Sequence, residues 1–152
     1  MANSFYKVPQ IKLHYQNRVP TSRRPLIANG NDVYPILIEN WDMNRIELLE
    51  EFKILLLNRG NRCIGISDIS VGGSTACIVD PKQIFMVALK ANACQIILAH
   101  NHPSGSLKPS NADIQITKKV LAGGSLLDIE VLDHLIVTKD GFYSFASEGL
   151  MP

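Results

Sequence analysis

Gln95-Ile96-Ile97-Leu98-Ala99-His100-Asn101-His102-Pro103-Ser104-Gly105-Ser106-Leu107-Lys108-Pro109-Ser110-Asn111-Ala112-Asp113 reads as a strand that breaks into a turn and re-enters the fold as a helix. Residues 95–99 are apolar on both parities and rich in β-branched side chains, the pattern of an interior strand covered on both faces. Side chains alternate along an extended chain, so His100 and His102 point the same way if the strand continues past His100. Pro103-Ser104-Gly105 breaks it. Pro109-Ser110 then prepares a helix start, and with Ser110 as N-cap Asp113 is the third helical residue, where the helix N-terminus favours a carboxylate.

Two imidazoles two positions apart, with a carboxylate eleven positions after the second, make a candidate metal site with three protein ligands. Zinc accepts imidazole nitrogen and carboxylate oxygen, and three such ligands leave a fourth position open for water, the catalytic rather than the structural arrangement. Ser110 followed by Asp113 is equally the signature of an ordinary capping box. The two roles are compatible, because one carboxylate has two oxygens.

His100-Asn101-His102, seven intervening residues, Ser110, two residues and Asp113 resemble the metalloprotease motif of the JAB/MPN, or JAMM, isopeptidase superfamily. The wider run His-Asn-His-Pro-Ser-Gly, with Pro109-Ser110 and Asp113 after it, is similar more narrowly to the RadC family. The likeness extends from about Glu50 to Leu150 and takes in Leu132-Asp133-His134 and Tyr143-Ser144-Phe145. It implies that His100, His102 and Asp113 hold zinc and that Ser110 helps stabilise a tetrahedral intermediate. Glu50, two residues before Phe52, matches the family's Glu-x-Phe position and is thereby implied to handle the water proton. The implied reaction is hydrolysis of a peptide or isopeptide bond in a peptide or protein substrate. Two rivals stand beside it: a nonenzymatic zinc-stabilised binding domain, and a DNA-repair or mobile-element-associated protein, since RadC-like proteins are commonly labelled as DNA repair proteins.

A chain of 152 residues is long enough for one sizeable core and short for two domains. Its 46% hydrophobic content argues against disorder, and a net charge of +1 gives no general polyanion signal. Strong autonomous nucleic-acid binding is therefore not expected, nor is the helix-hairpin-helix region commonly found before the family domain. Cys63, Cys77 and Cys94 form no Cys-x-x-Cys pair, and an odd count rules out a complete internal disulfide framework. Their apolar surroundings suggest reduced core residues in a cytoplasmic chain. Basic residues from Lys7 to Arg24 lack the long apolar block of a signal peptide. No stretch approaches the roughly 20 apolar residues that span a bilayer.

Along the chain, residues 1–30 read as a short strand at 11–15 and an extended arm, and residues 31–152 as one domain that includes an N-terminal helical segment. Asn31 or Asp32 can cap a helix toward Asn40, with Trp41 closing on its apolar face and a helical turn over 43–48. Residues 52–57 and 63–70 form a hairpin about Asn58-Arg59-Gly60-Asn61. Gly72-Gly73-Ser74-Thr75 lacks the lysine and spacing of a phosphate loop and reads as a bend near the site. Asp80-Pro81 starts a helix that buries Ile84, Val87, Ala88 and Ala91. A further helix runs from Asn111 to about Leu121, where Gly123-Gly124 ends it, and residues 129–137 and 142–145 close a second hairpin.

These elements predict an α/β domain with a mixed, largely antiparallel sheet flanked by helices, and the resemblance implies the JAB/MPN architecture, close to cytidine-deaminase-like folds. Period two groups Glu50 with Phe52, Ile54 and Leu56, and sets Glu51 beside a solvent-exposed Lys53. Asp133 shares the parity of Val131, Leu135 and Val137. It reads either as a buried acceptor orienting a ligand imidazole or as a backbone or turn partner. His134, on the other parity, reads as a satisfied core histidine, because a fourth protein ligand would close the position water needs.

Overall fold

A computed structural model of the chain describes residues 8–12, 14, 16, 18–74 and 76–152. A short 3₁₀ turn at Thr21–Arg23 precedes α1 (Gly30–Glu39), β1 (Glu51–Leu57), β2 (Cys63–Val71), α2 (Pro81–Lys90), β3 (Gln95–Asn101), α3 (Asn111–Leu127), β4 (Glu130–Thr138) and β5 (Gly141–Ser144). The five strands form one sheet in the order β2-β1-β3-β4-β5. β3 and β4 are parallel and the other three pairings antiparallel, so the sheet is mixed and mainly antiparallel as the sequence predicts.

Both faces of the central strands are covered, which is why β1 reads as an unbroken apolar run and all seven of its residues are buried. Phe52, Ile54 and Leu56 of β1 pack with Ile96 and Leu98 of β3 beneath Ile84 and Ala88 of α2 and Val120 of α3. On the opposite face, Leu55, Leu57, Ile97 and Ala99 pack with Val33 and Leu37 of α1 and with Trp41. This division sets the site. His100 continues the parity of Ile96 and Leu98 toward α3, and Asn101 that of Ile97 and Ala99 toward α1.

The helix starts follow their capping chemistry. Asp80 accepts a hydrogen bond from Lys82 N at 2.9 Å, with Pro81 at the first helical position, where its missing N–H costs nothing. α1 is capped by Asn29, ahead of the expected Asn31 or Asp32, and Asp32 instead closes the capping box from inside the first turn. Residues 43–48 form turns rather than a helix, although Ile46 is buried among the α1-side residues. Of the strand predicted over 11–15, Leu13 and Tyr15 lie outside the described residues, and Ile11, Lys12 and His14 are exposed and belong to no strand. The arm attaches further on, where Cys63 N donates to Pro25 O and Ile27 N to Asn61 O, each at 2.9 Å.

Gly123-Gly124 does not end α3, which continues to Leu127 and stops at Asp128 in the left-handed region, φ 54°. The glycines answer a packing demand: a Cβ at Gly124 would stand 2.3 Å from Ile129 O, and one at Gly123 2.6 Å from the Phe85 ring. Among the described residues no helix is long and apolar enough to cross a membrane.

Candidate metal centre

β3 delivers His100 to a place where it is 1% exposed and paired across the sheet with Phe52, whose ring stacks on the imidazole at a centroid distance of 6.1 Å. The extended course continues through His102, whose N–H donates to Val137 O at 3.3 Å, so both imidazoles turn toward α3. Gly105 then reverses the chain at φ +81°, a conformation that suits glycine. From the first turn of α3, Asp113 brings Oδ1 to 3.1 Å from His100 Nε2 and Oδ2 to 3.4 Å from His102 Nε2. The two Nε2 atoms are 2.9 Å apart, and one donor atom from each of the three residues lies within 4.8 Å of the others. The capping box is present as well: Ser110 N donates to Asp113 Oδ2 at 2.7 Å and Asp113 N to Ser110 Oγ at 3.1 Å. Oδ1 therefore stays on the His100 side while Oδ2 serves the cap.

The nitrogens facing away from this cluster are also held. His102 Nδ1 lies 2.8 Å from Ser106 O, and because a carbonyl only accepts, Nδ1 carries a proton, so that in the neutral ring Nε2 is the nitrogen with the lone pair toward the cluster. His100 Nδ1 lies 2.8 Å from His134 Nε2, and His134 Nδ1 lies 2.6 Å from Thr117 Oγ1. Burial, reinforced by the like charge of His100, holds His134 well below the ordinary imidazole range. The partner of the ligand imidazole is thus His134 and not Asp133. The register of β4 against β3 shifts at Leu132: Val131 pairs with Ile96, Asp133 with Ile97 and His134 with Leu98. One inserted residue flips every later side chain to the other face, so Asp133 leaves the parity of Val131 and His134 gains the His100 side. Asp133 instead ties the sheet end together, accepting from His134 N at 2.7 Å, Ala146 N at 2.9 Å and Ser144 Oγ at 2.5 Å.

Glu50 sits just before β1, half-buried, where the ladder to the β2 side continues: its N–H donates to Gly73 O at 3.0 Å and its carbonyl accepts from Gly72 N at 2.7 Å. A Cβ at Gly72 would meet Ala76 O at 2.1 Å, so this fold-back needs glycine. Thr75 of the same bend lies outside the described residues. Glu50, Ser110, His100, His102 and Asp113 line one cleft of about 580 Å³, with Ala76, Val79 and Ile116 as its apolar wall and Lys108 at its rim. Burial pushes the Glu50 carboxyl above its ordinary value, against the pull of His100 and His102. At Asp113 burial acts in the same upward sense, but the hydrogen bonds with His100 and His102 overcome it and hold the carboxyl far below the usual carboxylate range. The hydrogen bond to Asp113 raises His102. Glu51 points elsewhere. It is 5% exposed, paired with Arg45 at 3.0 Å and Lys53 at 3.6 Å. Lys53 is buried, not solvent-exposed as predicted, and lies 4.8 Å from the Trp41 ring centroid while pairing with Asp68.

Two imidazole nitrogens and a carboxylate converging on one cleft, with a second carboxylate lining it, are a donor set that a divalent cation fits. The mixed sheet and this site define a JAB/MPN-type domain, a class associated with metal-dependent hydrolysis. The chain belongs to the RadC family: the family model described as RadC-like JAB domain matches residues 27–150. It is similar to the UPF0758 protein of Flavobacterium johnsoniae, 48% identical over 101 residues, covering 66% of this chain and 44% of that protein. The UPF0758 protein of Alkaliphilus metalliredigens is 43% identical over 125 residues, covering 82% of this chain and 53% of that protein. The chain thus spans about half the length of the curated relatives it matches.

Proposed function

We propose that this domain is a zinc-dependent hydrolase that cleaves a peptide or isopeptide bond in a peptide or protein substrate. His100 Nε2, His102 Nε2 and the Asp113 carboxylate would hold the metal, which when bound supplies Lewis-acid activation of water and of the scissile carbonyl. Glu50, half-buried in the same cleft, takes the proton of the attacking water and returns one to the leaving amine. Burial raises the basicity of its carboxylate, which suits both halves of that transfer. Ser110 Oγ already accepts from Asp113 N, so its own proton is left to donate where oxyanion charge develops.

The observation that carries this reading is the convergence of three metal-binding side chains and a separate carboxylate on one cleft. A purely structural zinc site would have neither need of that fourth group nor an open position. The test is zinc uptake by the metal-stripped chain, followed by hydrolysis assays with fluorogenic peptides linked through a lysine ε-amine. The expected result is one zinc per chain and cleavage that stops on chelation. A folded chain with His100, His102 and Asp113 intact that takes up no zinc would end the proposal.

A further inference from the structure

Thr117 Oγ1 is 2.6 Å from the backbone carbonyl of Asp113 and 2.6 Å from His134 Nδ1. The carbonyl can only accept, so the single hydroxyl proton belongs to it. The hydroxyl lone pair then takes a proton from His134, which places the hydrogen of that ring on Nδ1. His134 is 0% exposed, flanked by Phe145 at 4.7 Å and Phe52 at 5.6 Å between centroids. Among the described residues no carboxylate hydrogen-bonds to either of its nitrogens, and an unpaired charge in such a place is costly, so the ring is neutral with one N–H. Its Nε2 is therefore an acceptor, and His100 Nδ1, 2.8 Å away, must donate.

We infer that Thr117 and His134 are positioning residues, an ordered hydrogen-bond relay that fixes a proton on His100 Nδ1 and turns its Nε2 to His102 and Asp113, as the atom that holds a proton in the metal-free chain and would be left free for a metal. This rests on the reading of the cluster as a metal centre only for its consequence; the proton order stands on the distances and on the burial of His134. The reverse order would leave Thr117 Oγ1 and Asp113 O 2.6 Å apart with no proton between them. It would also put a proton on His100 Nε2 in every state, pointing at the place a metal would occupy. The relay starts at the carbonyl of Asp113 and ends on His100, whose far nitrogen faces the carboxylate of that same Asp113 at 3.1 Å. Two candidate ligands, one on α3 and one on β3, are thereby locked to each other through β4. Thr117 and His134 carry no negative charge, so they orient His100 without adding one to the site, unlike the carboxylate partner commonly found behind a metal-bound histidine.

The experiment has two arms, both on the full chain. In the first, ¹⁵N-labelled histidine spectra of metal-free protein read each nitrogen directly. The expected pattern is a protonated Nδ1 and a bare Nε2 on His134, and a protonated Nδ1 on His100. A proton on His134 Nε2 overturns the relay. In the second, zinc affinity is measured against a chromogenic chelator for wild type, Thr117→Val and Thr117→Ser, with near-UV circular dichroism to verify packing. Thr117→Val should weaken zinc binding by about 10- to 100-fold, and Thr117→Ser, which keeps the hydroxyl, should restore it. Wild-type affinity in a folded Thr117→Val chain rejects the inference, as does equal loss in both variants. If wild type takes up no zinc at all, the proposed function fails, and the spectra of the metal-free chain still decide the relay.

Discussion

Asn101 Oδ1 accepts a hydrogen bond from the backbone N–H of Glu51 at 2.7 Å, across two strands that carry different parts of the candidate site. The Asn101 amide donates to Ile46 O at 2.7 Å and Leu49 O at 2.8 Å, so the residue between the two histidines points away from them and grips the chain that leads into Glu50. Asn101 is fully buried, and Asn101→Leu would leave three polar groups without partners. At about 1–3 kcal/mol for each orphaned group, the variant should lose at least about 3 kcal/mol in urea unfolding. A loss under about 1 kcal/mol would show that water or local rearrangement replaces these bonds.

The two neighbouring glutamates should fail differently. Glu50→Gln keeps the volume and the backbone ladder to Gly72 and Gly73, so folding and zinc affinity should persist while turnover falls by roughly 100-fold or more. Glu51→Gln removes a buried charge facing Arg45 and Lys53, so its effect belongs to stability, a loss of about 1–3 kcal/mol with turnover retained. Selective loss of turnover in Glu51→Gln would transfer the proton-handling role to the wrong side of the strand and refute the register argument.

The sequence carried the site because its signals are local. The β3 run, the period-two spacing of the histidines and the Ser110 to Asp113 cap all depend on neighbours within a few residues, and the structure brings these groups together. What it hid depends on distant packing. The bulge at Leu132, which exchanges Asp133 for His134 behind His100, has no composition signature, because an inserted residue in a strand looks like any other residue. The burial of Lys53 follows from Trp41 closing over it, a contact set by the docking of the segment after α1. Thr117 sits one helical turn after Asp113, a spacing visible in the sequence, but its importance appears only once His134 is known to face it.

Gly123-Gly124 misled for a related reason: paired glycines usually end a helix, and here they let one pass close to its neighbours. Gly124→Ala forces a methyl against Ile129 O, a backbone atom that cannot swing aside, whereas Gly123→Ala meets the Phe85 ring, which can rotate. Gly124→Ala should therefore destabilise by about 2 kcal/mol or more and Gly123→Ala by less, helix propensity favouring alanine by about 1 kcal/mol in both. Thermal melts of the two variants decide it. An increase in stability for Gly124→Ala would mean that Ile129 O moves aside and that the close approach does not require glycine.

Removing metal should reverse the sign of the pH dependence of stability near neutrality. In the metal-free chain the hydrogen bond to Asp113 raises His102 above the ordinary imidazole value of about 6.5. A raised folded value means the native state binds the extra proton, so this contribution is fully present below about pH 6.5 and is lost as pH climbs through the folded value. Glu50, raised by burial, contributes in the same sense as its carboxyl ionises above the ordinary value. Asp113 is held far below the carboxylate range by both histidines, so its contribution is constant here and is lost only in strong acid. His134 is lowered by burial, and its penalty grows only as pH falls below about 6.5, outside the window. The melting temperature of chelator-treated protein should therefore fall from about pH 6.5 to 8, the partly buried thiols of Cys63 and Cys77 adding to the fall only toward its upper end. With zinc present the opposite holds, because the metal competes with the proton on His102 and binds more tightly as that proton leaves. Melting curves at pH 6.5, 7.2 and 8.0, with chelator and with one equivalent of zinc, should diverge as pH rises, and His102→Gln should flatten both. Parallel curves would mean that zinc and the proton do not compete for His102, and that residue would then have to be removed from the ligand set.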